Sequence, residues 1–191
     1  MFFITYAKNF FVPPSEFGVG SPVPVRSLGN ALGSASGGRD TVVFVNNGNT
    51  GGDIQRVIDD VSEQVRRAGR IAQTVEQEVE LLTACESSLR GASTCFGAAS
   101  FHSSPSEGQG QGWNYTLRAD GAFGENIYVD QTDNEIEIYV LPLQAAIDRA
   151  IASTNGTQFA ASIDEYPFTE DRKSTRLNSS HSGESRMPSS A

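Results

Sequence analysis

Between residues 41 and 169 the apolar positions alternate between short runs and helical stripes. "TVVFVNN", from Thr41, is a brief run rich in β-branched residues, the pattern of a buried strand. "GNTGGD" interrupts it. Ile54, Val57, Ile58, Val61, Val65 and Ala68 then recur at helical spacing, with Gly69 placed to end the helix. "RIAQTV" predicts a second strand. "TVEQ" reads as a capping box of Thr74 with Gln77. It opens a second helix with Val79, Leu82, Cys85 and Leu89 on its inner face and Gly91 at its end. "CFGAASF" is a third strand, made of small residues. This βαβαβ order predicts an α/β fold: a mixed, largely parallel sheet with helices packed on it and antiparallel strands added.

Further along, "HSSPSEGQGQG" reads as a loop, and "WNYTLRA" alternates as an antiparallel or edge strand does. "NIYVD" and "EIEIYVL" predict a hairpin around "QTDN". "PLQAAIDRAIAS" predicts a C-terminal helix, with Pro142 at its start and Leu143, Ala146, Ile147, Ala150 and Ile151 on one face. Before the regular region, residues 1–12 ("MFFITYAKNFFV") are mostly apolar but short of the ~20 residues a membrane span needs. No basic residue precedes that run and no small-residue cleavage site follows it, so it does not read as a signal peptide. It fits either a buried strand or the last turns of a transmembrane helix. Residues 13–40, rich in Pro and Gly, predict an extended connector.

The other end departs from everything before it. Residues 170–191 run into "DRKSTRLNSSHSGESRMPSSA", with too few large apolar residues to offset the entropy of ordering. This stretch resembles a translated DNA-sequencing adaptor: Asp171–His181 and Ser185–Ala191 both match one in frame. It is read as non-native, which sets aside His181 and the "NSS" sequon at Asn178, and the body is expected to be cut short at its carboxyl end.

The formal net charge is −9, and the tail hides part of the acidity. Without residues 171–191 the body holds 10 basic and 21 acidic residues, a balance of −11 that repels nucleic-acid backbones. Lys8 and Lys173 are the only lysines, and no Gly-rich loop ends in Lys-Ser/Thr, so a P-loop is absent. The strand–Gly–helix unit around Gly48, Gly51, Gly52 and Asp53 invites a nucleotide-binding reading, because backbone amides at a helix start hold phosphate. Its glycines do not fit G-x-G-x-x-G, and Asp53 competes with phosphate charge; turn and capping chemistry accounts for the same residues.

Cys85 and Cys95 are the only cysteines. A disulfide between them closes a loop of about ten residues, and two buried thiols fit the spacing equally well. A zinc site with His102 lacks a fourth ligand and a C-x2–4-C pair. His102, the sole histidine of the body, lies beside Ser103 and Ser104, but neighbours in sequence do not make a nucleophile–base pair. Asp59 and Asp60 fall on the exposed side of the first helix. No catalytic, cofactor-binding or metal-binding residue is expected. Asn114 ("NYT") and Asn155 ("NGT") are N-glycosylation sequons, which favour an oxidising compartment.

Taken together, "NFFVPPSEFGVGSPVPVRSL", "VVFVNNGNTGGDIQRVID", "LLTACESSLRGASTCFGAASFHSSP", "WNYTLRADGAFGENIYV" and "IYVLPLQAAIDRAIAS" resemble fungal ATP-binding cassette transporters of subfamily A. The resemblance spans about residues 7–169 and falls on the extracytosolic domain that follows the first transmembrane helix. It implies that residues 1–12 are the remnant of that helix and that 41–169 form a non-catalytic luminal or extracellular α/β domain. The parent protein would use ATP and Mg to move lipid or another amphipath. Its partners would be the remaining transmembrane helices, a second extracytosolic domain, the membrane reached through the flanking helices, and lipid substrate, with no nucleic acid. Cys85 and Cys95 carry over as a disulfide candidate, and Asn114 and Asn155 as glycan candidates. No Walker or signature motif is present to carry over. The alternatives are a soluble nucleotide-binding α/β enzyme using Gly48–Asp53 and a secreted binding module.

Overall fold

The computed structural model describes residues 22–86, 93–120, 123, 134–159 and 162–165. Strand β1 (Val23–Pro24) and helix α1 (Leu28–Ser34) lead into β2 (Thr41–Val45), helix α2 (Asp53–Arg67) and β3 (Ile71–Val75). A single 3-10 turn (Glu78–Glu80) runs into the short helix α3 (Leu81–Ala84). Next come β4 (Cys95–Ser104), β5 (Glu107–Gly108) and β6 (Asn114–Arg118). A π-helical stretch (Ile136–Val140) continues into α4 (Leu141–Thr154), and β7 (Asp164–Glu165) follows.

The result is the mixed α/β architecture expected. β3, β2 and β4 lie side by side and parallel, with β5 and β6 antiparallel to β4. β2 is central because it is apolar on both faces, all five residues buried. Its alternation separates two cores. Val42 and Phe44 face α1, α2 and α4 in the larger cluster, together with Phe96, Ala99 and Phe101 of β4. Val43 and Val45 face the opposite way, with Val75, Cys95 and Ala98, under Leu81, Ala84 and Cys85. The preference for right-handed crossovers explains the split. α2 links β2 to β3 on one side, whereas the 78–86 segment returns across β2 to β4, reversing direction and so landing on the other face.

Three sequence expectations change. The 13–40 connector contains α1, capped by the Ser27 hydroxyl, which accepts from the Asn30 amide at 3.3 Å. Leu28, Ala31 and Leu32 sit in the core. Seven residues are too few for a helical period to show in the sequence. The second helix is far shorter than its apolar positions suggest. Thr74 belongs to β3, and the capping contact is instead made by Glu80, whose carboxylate accepts from the Gln77 amide at 2.8 Å. Val79 and Leu82, the expected inner face, are 61% and 76% exposed. Leu89 and Gly91 lie outside the described residues.

Finally, "EIEIYVL" is helical rather than a hairpin strand, and its expected partner at 126–130 lies outside the described residues. Its β-branched alternation mimics a strand, but Tyr139 drives the packing: its ring stacks on Phe123 at 4.6 Å and lies 5.1 Å from Phe96. Pro142 has no N–H to donate and its ring crowds the carbonyl four residues back, which fits the wide π turns just before it. The expected apolar face of α4 is in place: Leu143, Ala146, Ile147 and Ala150 are buried, and Ile151 is half-buried. Residues 1–12 and 170–191 lie outside the described set.

Candidate functional site

In an open α/β sheet, ligands enter where neighbouring strands send their connections to opposite sides, at the carboxyl ends of the strands. Here that crevice lies between the ends of β2 and β4, and the "NNGNTGGD" loop forms one wall. Asn47 adopts φ 49°, a left-handed conformation that asparagine tolerates. Its Nδ2 donates to Ser100 Oγ at 3.0 Å and to the Phe101 carbonyl at 2.8 Å. Asn46 Oδ1 accepts from the Gly48 amide at 3.0 Å, and the Asn46 amide donates to the Val75 carbonyl at 3.1 Å. The loop therefore ties the ends of all three parallel strands together.

The opposite wall is the β4–β5 hairpin. Ser100 pairs with Val45 on one side and Thr116 on the other, so β5 must take the edge of β4 beyond the end of β2. Gly108 makes this possible: its φ is +79°, and a Cβ there would come within 2.4 Å of the His102 carbonyl. The hairpin carries Glu107 onto the start of α2, where its Oε2 accepts from the Ile54 amide at 2.8 Å and from Ser104 Oγ at 3.2 Å. Ser106 Oγ donates to Asp53 Oδ2 at 2.5 Å, and Arg56 pairs with the other oxygen of Asp53. The place where a nucleotide phosphate would rest is filled by the protein's own carboxylate, with a second one beside it.

Gly52 fits this arrangement, since a Cβ on it would lie 2.0 Å from Glu107 Oε1. Gly52→Ala and Glu107→Ala are each expected to lower the unfolding free energy by about 1.5–3 kcal/mol, the worth of one hydrogen bond to a charged group. Urea unfolding of the double variant should show no greater loss than either single one, because both remove the same contact. Additive losses would contradict the shared contact.

A second polar cluster lies on the partly covered face of the sheet. Glu78 Oε2 pairs with an Arg118 guanidinium nitrogen at 3.0 Å, and Glu78 Oε1 lies 3.8 Å from His102 Nε2. The same Nε2 shares a 3.0 Å hydrogen bond with Thr116 Oγ1. His102 is thus a strand residue of β4, not a loop residue. The threonine and the carboxylate both approach Nε2, whereas a hydrolytic triad needs its carboxylate on Nδ1, so the cluster does not assemble a nucleophile. Ser103 Oγ donates to the Gly112 carbonyl at 2.8 Å, and Ser104 serves Glu107; neither is bonded to His102.

The Glu78 carboxyl is held below its ordinary pKa, first by a hydrogen bond from Ser100 and then by Arg118 and His102, against the opposing effect of burial. A depressed carboxyl contributes stability above the usual carboxylate range and loses it as acid protonates the group. Glu78→Gln should therefore flatten the fall in stability between roughly pH 5 and pH 3 in chemical-denaturation curves. An unchanged acid limb would rule the pairing out.

Cys85 and Cys95 form a disulfide with Cα atoms 5.3 Å apart, fastening the end of α3 to the start of β4. Asn114 opens β6 and is exposed, and Asn155 is exposed at the end of α4. Asp59 and Asp60 are exposed on α2. Among the described residues no group of three or more His, Cys, Asp and Glu is arranged to hold a metal, and no helix is long and apolar enough to cross a membrane. Sequence reasoning singled out the glycine loop but missed Glu107 and Asn47. Neither carries a motif, and both act through residues about 53 positions away. Compared with known proteins, the chain matches no family model, no curated protein and no solved structure.

Proposed function

We propose that the α/β domain, from β1 through β7, is non-catalytic and works on the luminal or extracellular side of a membrane, within an ATP-driven transporter of lipid or amphipathic substrates. The observation that carries this reading is the antiparallel pairing of β1 with β7, Val23 opposite Glu165 and Pro24 opposite Asp164. The Val25 amide extends it by donating to the Ile163 carbonyl at 2.8 Å. The chain thus enters and leaves the domain at one place, which suits a domain carried between two successive membrane spans. The Cys85–Cys95 bond adds to it, because such crosslinks persist outside the reducing cytosol. Glu107 on the start of α2 weighs against the nucleotide-binding alternative, since a phosphate arriving there would have to displace a bonded carboxylate.

The part such a domain plays is mechanical. A close-packed α/β layer moves as a unit, so a shift of either flanking span would reach it through the β1–β7 base. ATP and Mg would act in domains encoded outside this chain. Reading the encoding locus past codon 170 tests the proposal: an in-frame apolar span supports it, and a stop codon there overturns it. A nucleotide titration that broadens the amides of residues 48–53 would favour the enzyme instead.

A further inference from the structure

The two sequons sit in opposite structural settings, and one of them meets the chain's single tryptophan. Asn155 follows the last turn of α4. Its Oδ1 accepts from Trp113 Nε1 at 3.2 Å, while its Nδ2 has no hydrogen-bond partner among the described residues. The turn is held by its backbone: the Thr157 amide donates to the Ala152 carbonyl at 2.8 Å, and Gly156 takes φ +68°. Asn155, Gly156 and Thr157 are all exposed. In the Asn114 sequon, by contrast, Thr116 is half-buried and bonded to His102, and Tyr115 is pinned to α4 by a 2.5 Å bond from its hydroxyl to Asp148. Asn114 is therefore open to a transferase only before the sheet forms, whereas Asn155 remains open afterwards.

We infer that Asn155 carries an N-linked glycan whose first sugar rests on the indole of Trp113. The inference relies on the luminal or extracellular reading above. In the transfer, Asn155 Nδ2 attacks the anomeric carbon of a lipid-diphosphate-linked oligosaccharide. The N–C bond forms, the C–O bond to the diphosphate breaks, and the lipid diphosphate leaves with the electron pair. The amide proton passes to a base of the transferase. Oδ1 and Nδ2 share one carbon, so a sugar on Nδ2 starts beside the ring that Oδ1 already holds. Trp113 is half-buried, one side packed on the core. Among the described residues, the rest of its apolar body is open to meet the C–H face of a pyranose while its N–H stays bonded to Asn155. A glycan there also covers the start of β6, which pairs only with β4 among the described residues. That blunts an edge open to strand addition.

The test uses the full chain, expressed behind a secretory leader in a glycosylating host and trimmed to one sugar per site by an endoglycosidase. Because the leader supplies access to the transferase, the result is independent of whether the transporter reading holds. Peptide mapping should find a sugar on Asn155. Trp113, the sole tryptophan, should emit further to the blue and lose accessibility to acrylamide relative to Thr157→Ala, which lacks the Asn155 sequon. Asn114→Gln should keep the protected signal. A sugar found on Asn114 alone, or on neither asparagine, overturns the site. A sugar on Asn155 with Trp113 as quenchable as in Thr157→Ala overturns the seat.

Discussion

Replacing both Cys85 and Cys95 by Ser lowers the unfolding free energy by about 3 kcal/mol, the chain-entropy value for a loop of some ten residues. That corresponds to a fall of about 6–12 °C in the melting temperature of a domain this size. The loss is local in character. Among the described residues, the face of the sheet bearing Val43, Val45, Val75 and Ala98 is covered by Leu81, Ala84 and Cys85, with Val79 and Leu82 turned outward. A helix burying its own apolar stripe holds itself down; this segment does not, and the crosslink does that work in its place. Without it, the Glu78–Arg118 pair remains as a tether, and an exposed ion pair contributes little. Hydrogen exchange should accordingly rise in 78–86 and in the outer strand β3 well before it rises in α2. Binding of a hydrophobic dye should increase under native conditions. A melting temperature unchanged by the double substitution, or by reductant, would mean that the crosslink does not hold this segment.

Phe44→Ala, like truncation of the other fully buried phenylalanines, has among the largest expected effects of a single change, a loss of about 3–5 kcal/mol. Phe44 is fully buried in the central strand, within the cluster that joins α1, α2 and α4 to the sheet. Truncation there leaves a cavity that no one element can close, because three helices and two strands border it. The matched control is Val79→Ala. Helical spacing alone would place Val79 on an inner face, yet it is 61% exposed, and its truncation should stay within about 0.5 kcal/mol. Urea unfolding of the pair therefore separates a core position from a position that only resembles one. Equal losses for the two would contradict the placement of the 3-10 turn at Glu78–Glu80.

These contrasts mark what periodicity could and could not carry. β2 and α2 were legible because each repeats one period long enough to leave a single solution: five buried residues in the strand, and a stripe from Ile54 to Val65 on the helix. α1 escaped notice because Leu28, Ala31 and Leu32 supply one i, i+3, i+4 step and nothing more. The stretch 136–140 was misleading for the opposite reason. Its alternating Ile, Ile and Val satisfy a strand pattern, but the stacking of Tyr139 against Phe123 and Phe96 prevails over local preference.

The candidate site was less legible than the fold. Gly52 and Gly108 could be suspected of special roles from sequence, but not what each makes room for: Gly52 for the Glu107 carboxylate and Gly108 for the His102 carbonyl, in a hairpin whose place is set by where β2 stops. By itself, then, the sequence determined the α/β class, the central strand, the long amphipathic helix and the two sequons, all of which depend on neighbours a few residues away. The tertiary structure alone decided that Cys85 and Cys95 join, that Glu107 closes the start of α2, that Trp113 meets Asn155, and that β1 closes on β7. Each of those joins residues whose partners are chosen by the packing of whole elements, and local spacing holds no record of that choice.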